Sequence, residues 1–365
     1  MPYTTKSGER SMNSRERILA AINHQPVDRV PTDIWATPEV FKKLFAIYKD
    51  DETLRKELHI DGLAGAGGKY IGPELPKVAE NEFIDPWGLV YKSVNYGSGE
   101  YSEQAEAPLK NAQTIDDLEK YPFWQRAEYY DYDYMTEQLK SMRQTRVITA
   151  GYMAIFYFHN LLRGLEQSLI DPYDDPDFTH HLLNKISDCF YDYHRKMFET
   201  WDGLIDITQV TDDYGSQHGT IISLDIFKEF YKPHVKRFID LAKEFNIKIF
   251  HHDDGAMRPF LPELVDLGID ILNPVQHNCP GMELEGLKSD FGEKICFHGG
   301  IDNQAVLPFG TPDEVREEVR RCIDTLGADN TGYILAPCHN IQPVSPIENI
   351  IAMYDEAHTY GKSRS

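Results

Sequence analysis

The densest group of side chains able to handle a metal or a proton is the run Phe250-His251-His252-Asp253-Asp254-Gly255. In an extended chain successive side chains point to opposite faces. His252 and Asp254 then share one face, and His251 and Asp253 the other. A register one residue off would exchange the two sets. An imidazole and a carboxylate on one face suit a divalent cation, and a third ligand from a distant segment would leave a position open for substrate. The same residues could also form a hydrogen-bonded cluster that only caps strand ends. Cys338, in LAPCHNIQPVSPIENI, is the expected third ligand, with Cys279 in HNCPGM as an alternative. Cys296 and Cys322 read as buried filler.

Further candidates cluster in short polar segments. Asp212 and Asp213, in TQVTDDYGSQHG, form a carboxylate pair in which one faces the reaction and the other binds backbone or a cation. Asp213 is expected as a catalytic group, with Asp212, Tyr214 and Gln217 contacting substrate. Gln276 and His277 are also expected at the substrate. His298, in FHGGID, is a catalytic candidate that could equally be a ligand, a substrate contact or a satisfied core histidine. Carboxylates at turns often cap helices, so each of these residues also has a purely structural reading.

The elements that must position these groups follow from hydrophobic patterning. After residue 145, short apolar runs (RVITAGYM, LIDITQVT, IKIFHH, IDILNPV, KICFHG, YILAPC) alternate with amphipathic helical stretches, as βα units of a parallel sheet do. Polar, titratable residues recur at the C-terminal ends of five successive runs. A parallel barrel converges those ends on one mouth, whereas an open sheet gathers its site at a single switch point. The sequence therefore predicts an α/β fold, a single (β/α)8 barrel over residues 13–361. A helix is expected over SRERILAAIN, a strand at TDIW, and an irregular or hairpin insertion over residues 60–110, after a frayed tail at residues 1–12.

Composition narrows the function classes. A net charge of −22 opposes nucleic acid or anionic membranes as partners. No apolar run is long enough to span a membrane, and MPYTTKSGER lacks a secretory h-region, so a cytoplasmic location is expected. Five scattered cysteines do not form a disulfide framework. A GxxxxGK[ST] loop, a GxGxxG turn, GxSxG and HExxH are all missing, which disfavours nucleotide hydrolysis, Rossmann-type dehydrogenation and serine-hydrolase chemistry.

The segments SRERILAAINHQPVDRVP, DPWG, TQVTDDYGSQHG, HHDDG, CFHGGID and APCHNIQPVSPIENI together resemble the uroporphyrinogen decarboxylase superfamily, and within it the zinc-dependent, corrinoid-linked methyltransferases. True decarboxylases of that superfamily carry an arginine-rich MRQAGR motif; the corresponding stretch here is VPTDIWATPEVFKK. The methyltransferases commonly bind zinc through His-x-Cys-Gly and a distant cysteine. His252, Gly255 and Cys338 match that pattern, and Asp254 stands where the first cysteine would be. The resemblance implies a Zn2+ site at His252, Asp254 and Cys338, a corrinoid (cobalamin) carried by a partner protein, and a small-molecule methyl donor. A carboxylate in place of a thiolate hardens the metal and shifts its preference from sulfur to oxygen. The implied reaction is methyl transfer from an O-methyl donor, such as a methoxylated arene, to cobalt. The 21 Tyr, 18 Phe and 4 Trp are compatible with an aromatic pocket for such a donor. A metal-free decarboxylase and a methylcobalamin:thiol methyltransferase are the alternatives, and a homo-oligomer remains open.

Overall fold

The computed structural model describes residues 11–95, 97 and 100–362. Of the tail expected at residues 1–12, residues 1–10 lie outside the described residues. Met12 is held in place, its N–H bonded to Asp28 and its carbonyl to Arg17.

Seven parallel strands form one sheet in sequential order: β1 (Leu63–Ala66), β2 (Val147–Met153), β3 (Ile207–Val210), β4 (Lys248–His252), β5 (Ile271–Asn273), β6 (Cys296–Ile301) and β7 (Tyr333–Pro337). The predicted TDIW segment supplies the eighth stave. Thr32 bridges in parallel to Leu335 of β7, and its carbonyl accepts the N–H groups of Asp61 and Gly62 just before β1. The sheet therefore curls into a closed (β/α)8 barrel. β1 lies in GLAGAGG, within the stretch the sequence assigns to the insertion. Its small residues carry none of the β-branched signal of a strand. The predicted hairpin is present as an antiparallel sheet of Glu82–Ile84, Val90–Asn95 and Glu100–Glu106.

Helix α1 (Ser14–Ile22) begins with a capping box between Asn13 and Glu16. Its Ile18, Ala21 and Ile22 pack with Val147, Ile207, Phe250, Ile271, Cys296 and Ile334 in the barrel interior, closing the N-terminal end. The segment after β3 does not form one continuous helix but runs as Leu224–Ile226, a π-turn at Phe227–Tyr231, and helix Lys232–Glu244. Pro233 has no N–H to offer the preceding turn, which accounts for the widened geometry. Gly268 ends the helix Leu261–Leu267 in the left-handed conformation that glycine favours, whereas Gly327 ends the helix Pro312–Leu326 at φ −97°. Among the described residues no helix is long and apolar enough to cross a membrane.

Candidate metal centre

Strand β4 settles the register. His251 is buried on the outer face, its Nδ1 2.7 Å from the Val210 carbonyl. Asp253 is also buried and accepts the N–H groups of Tyr214 and Gly215 at 3.0 and 3.1 Å. His252 and Asp254 therefore face the mouth. Gly255 turns the chain there with φ +84°, and a Cβ at that position would lie 2.5 Å from the Ser216 carbonyl oxygen. Only glycine lets the loops after β3 and β4 approach so closely.

His252, Asp254 and His339 offer ligand atoms within 4.8 Å of one another. Asp254 Oδ2 lies 3.6 Å from His252 Nε2 and 3.7 Å from His339 Nε2. Tetrahedral bonds of about 2.1 Å place neighbouring ligand atoms about 3.4 Å apart, so the spacing suits a small divalent cation with little movement. Asp213 flanks the group: its Oδ1 is 3.9 Å from His252 Nε2 and accepts the Asp254 N–H at 3.2 Å. Burial opposes protonation of His252, but Asp254, Asn273 and Asp213 outweigh it and raise its pKa to about 9. The surroundings thus favour positive charge at this point.

Behind His252 runs a hydrogen-bonded chain. His252 Nδ1 lies 2.5 Å from Asn273 Oδ1, Asn273 Nδ2 lies 2.7 Å from His298 Nδ1, and His298 Nε2 lies 3.1 Å from Asp33 Oδ2. A carbonyl oxygen can only accept, so His252 must donate from Nδ1, leaving Nε2 to face the mouth. The amide then donates to His298 Nδ1, and His298 donates from Nε2 to Asp33. Burial pushes the Asp33 carboxyl up, but the His298 hydrogen bond overcomes this and holds it below its ordinary value. Trp35 donates its indole N–H to the same carboxylate and stacks on His252, with ring centroids 5.6 Å apart.

The other predicted residues occupy distinct places. Cys338 lines a cavity of about 310 Å3 together with Asp254, His339, Gln217 and Gln276. Its thiol, however, is 3.1 Å from the Val275 carbonyl, and burial raises its pKa well above that of a free thiol. The third member of the cluster is His339, the next residue along. Gln276 also accepts the Gly255 N–H. Cys279 sits beside Gln217 at 3.5 Å. Four of the expected residues do not reach the cavity. Tyr214 is fully buried and donates to Asp212 at 2.8 Å. Asp212 accepts the N–H groups of Phe156 and Tyr157 at 3.0 and 2.8 Å, capping helix α2 (Ile155–Arg163). Burial is the largest influence on the Asp212 carboxyl and raises its pKa to about 8. His277 turns away to pair with Glu318 at 3.0 Å. His298 is fully buried behind His252, where it orients a neighbour and does not touch the mouth.

The family model Uroporphyrinogen decarboxylase (URO-D) matches residues 92–360. The uroporphyrinogen decarboxylase of Chlorobaculum tepidum is 25% identical over 177 residues, 47% of this chain and 46% of that protein. That of Ruthia magnifica is 27% identical over 206 residues, 52% of each. The chain thus spans about half the length of these curated relatives. A solved methyltransferase from Methanosarcina mazei superposes over 96% of this chain and 99% of its own, with a TM-score of 0.66 and 19% identity. That likeness establishes the shared barrel.

Proposed function

This chain belongs to the uroporphyrinogen decarboxylase family, and from that premise we propose that it is a metal-dependent methyltransferase, moving a methyl group from an O-methyl donor to the cobalt of a corrinoid protein. The observation that carries this reading is the His252–Asp254–His339 cluster, in which Asn273 leaves the His252 Nε2 lone pair for a cation. We assign Zn2+ to it, held by these three side chains. When bound, the cation supplies Lewis acidity toward the ether oxygen, and the partner's corrinoid supplies the nucleophile.

The chain's own residues do the rest. Two imidazoles and a carboxylate make a harder site than one built on thiolates, which favours oxygen as the activated atom. Trp35 covers one face of the His252 ring and limits its rotation. Asp213, half exposed beside the cluster, passes a proton from solvent through its carboxylate to the departing oxygen.

Decarboxylation of a tetrapyrrole is the competing reading, favoured by the names of the curated relatives. Against it stands the composition of two cavities at barrel strand ends. Among their described lining residues neither has an arginine or lysine to meet a substrate rich in carboxylates. The test is to incubate the purified protein with cob(I)alamin and matched aryl methyl ethers and methylthiols, following the methylcobalamin spectrum. Ether-dependent conversion that a chelator abolishes supports the proposal. Conversion by thiols alone, or by chelator-stripped protein, overturns it.

A further inference from the structure

A second, larger cavity of about 450 Å3 lies on the β1–β2–β3 arc of the barrel, away from the cluster on β4 to β7. Volumes of this size are typical of small-molecule sites. Its walls are aromatic: Trp87, Tyr130, Phe158, Phe190 and Tyr193 line it. Trp87, Phe158 and Phe190 pack against one another with ring centroids 4.8 to 5.0 Å apart. Among the described residues, no Asp, Glu, Lys, Arg or His lines it.

Strand alternation places the floor of this cavity inside the barrel. Val147 and Ile207 belong to the interior cluster and Leu63 packs against it, so Thr149, Gln209 and Gly65, each two residues on, face inward as well. Gln209 is in register with Phe250, two residues before His252 on the adjoining strand. Gln209, one of the lining residues, thus stands beside Phe250 in the interior layer. The polar groups in the wall differ in their satisfaction. Gln125 is bonded to the Pro86 and Phe123 carbonyls and accepts the Tyr130 hydroxyl at 2.9 Å. The Thr149 hydroxyl is buried and has no hydrogen-bonding partner in the protein.

We infer that this cavity binds a neutral, single-ring methoxylated arene, whose ring sits among Trp87, Phe158 and Phe190. Flat aromatic walls favour a ring by offset and edge-to-face packing. An ionised substituent would lose its hydration here without gaining a counter-charge, so arene carboxylates are selected against. The ligand's role as methyl donor rests on the function proposed above, whereas its binding does not.

Gly65 provides the test. Its φ is not in the left-handed region, and a Cβ added there meets nothing within 4 Å. Gly65→Leu therefore extends a side chain into the open space without straining the backbone. Calorimetric titration of the purified protein, with and without chelator, compares 1,2-dimethoxybenzene with 3,4-dimethoxybenzoate. The neutral arene is expected to bind at least tenfold more tightly than the benzoate, independently of the chelator. Gly65→Leu should weaken it at least tenfold with metal content unchanged. Equal binding of the benzoate, no binding of the arene, or unaltered binding by Gly65→Leu overturns the inference. If the arene binds as described but yields no methylcobalamin from cob(I)alamin, the donor reading fails while the binding site stands.

Discussion

The amide oxygen of Asn273 lies 2.5 Å from His252 Nδ1, and that contact determines which imidazole nitrogen the barrel mouth receives. The two residues sit side by side in register on neighbouring strands. The orientation of the His252 ring is thus built into the sheet.

Asn273→Leu removes this acceptor while keeping a side chain of similar size. Loss of such outer-shell partners typically costs about 10–100-fold in metal affinity. Competition titration with a chromogenic chelator should show a drop of that order, with the far-ultraviolet circular dichroism unchanged. An unaltered affinity would mean that the chain to His298 and Asp33 does not orient the ligand.

The neighbouring residues Cys338 and His339 make opposite predictions. His339→Ala removes a member of the cluster, and the purified variant should carry well under one zinc per chain. Cys338→Ser preserves the shape beside Val275 and should keep its zinc. Elemental analysis of both variants decides the point, and zinc lost only from Cys338→Ser would reassign the third ligand.

Tyr214→Phe tests the reading of Asp212 as a cap. Deleting the hydroxyl leaves a buried carboxyl with one donor fewer, at a cost of about 1–3 kcal/mol. Denaturant unfolding should show a lower midpoint at unchanged slope, and binding of arene substrates should be unaffected. A large loss of substrate affinity with full stability would return Tyr214 to the list of substrate contacts.

Acid stability depends on histidines held neutral. Burial lowers the His194 pKa to about 4, with Nδ1 2.7 Å from the Phe190 carbonyl. A folded-state value below the unfolded value of about 6.5 means that its contribution is complete above pH 6.5 and is lost as pH falls toward 4. Between pH 7 and pH 5 the linkage amounts to about 2 kcal/mol. The melting temperature should therefore fall over this range. The fall should be smaller in His194→Phe, and an equal fall in both proteins would remove His194 from the explanation.

Much of this was readable in the sequence because strand ends announce themselves. Apolar runs that break into HHDD, DDY or PCH place their polar residues at one rim whatever the details of packing. Two kinds of information were not local. β1 hides in GLAGAGG, where closure of the ring, and not strand propensity, makes the chain extended. Asp33 and His298 meet across 265 residues of sequence, and neither TDIW nor FHGGID signals the other. The choice between Cys338 and His339 depends on the direction each side chain takes after β7. Periodicity ends with the strand and leaves that direction undetermined.

The most direct test of the proposed chemistry is isotopic. Purified protein, cob(I)alamin and an aryl ether bearing a trideuteromethyl group are incubated, and the cobalamin is recovered for mass spectrometry. The structure leads us to expect trideuteromethylcobalamin and one equivalent of the demethylated phenol, with neither formed by His252→Ala. Unlabelled cobalamin with the ether intact, under conditions where the protein holds its metal, would contradict methyl transfer from oxygen to cobalt.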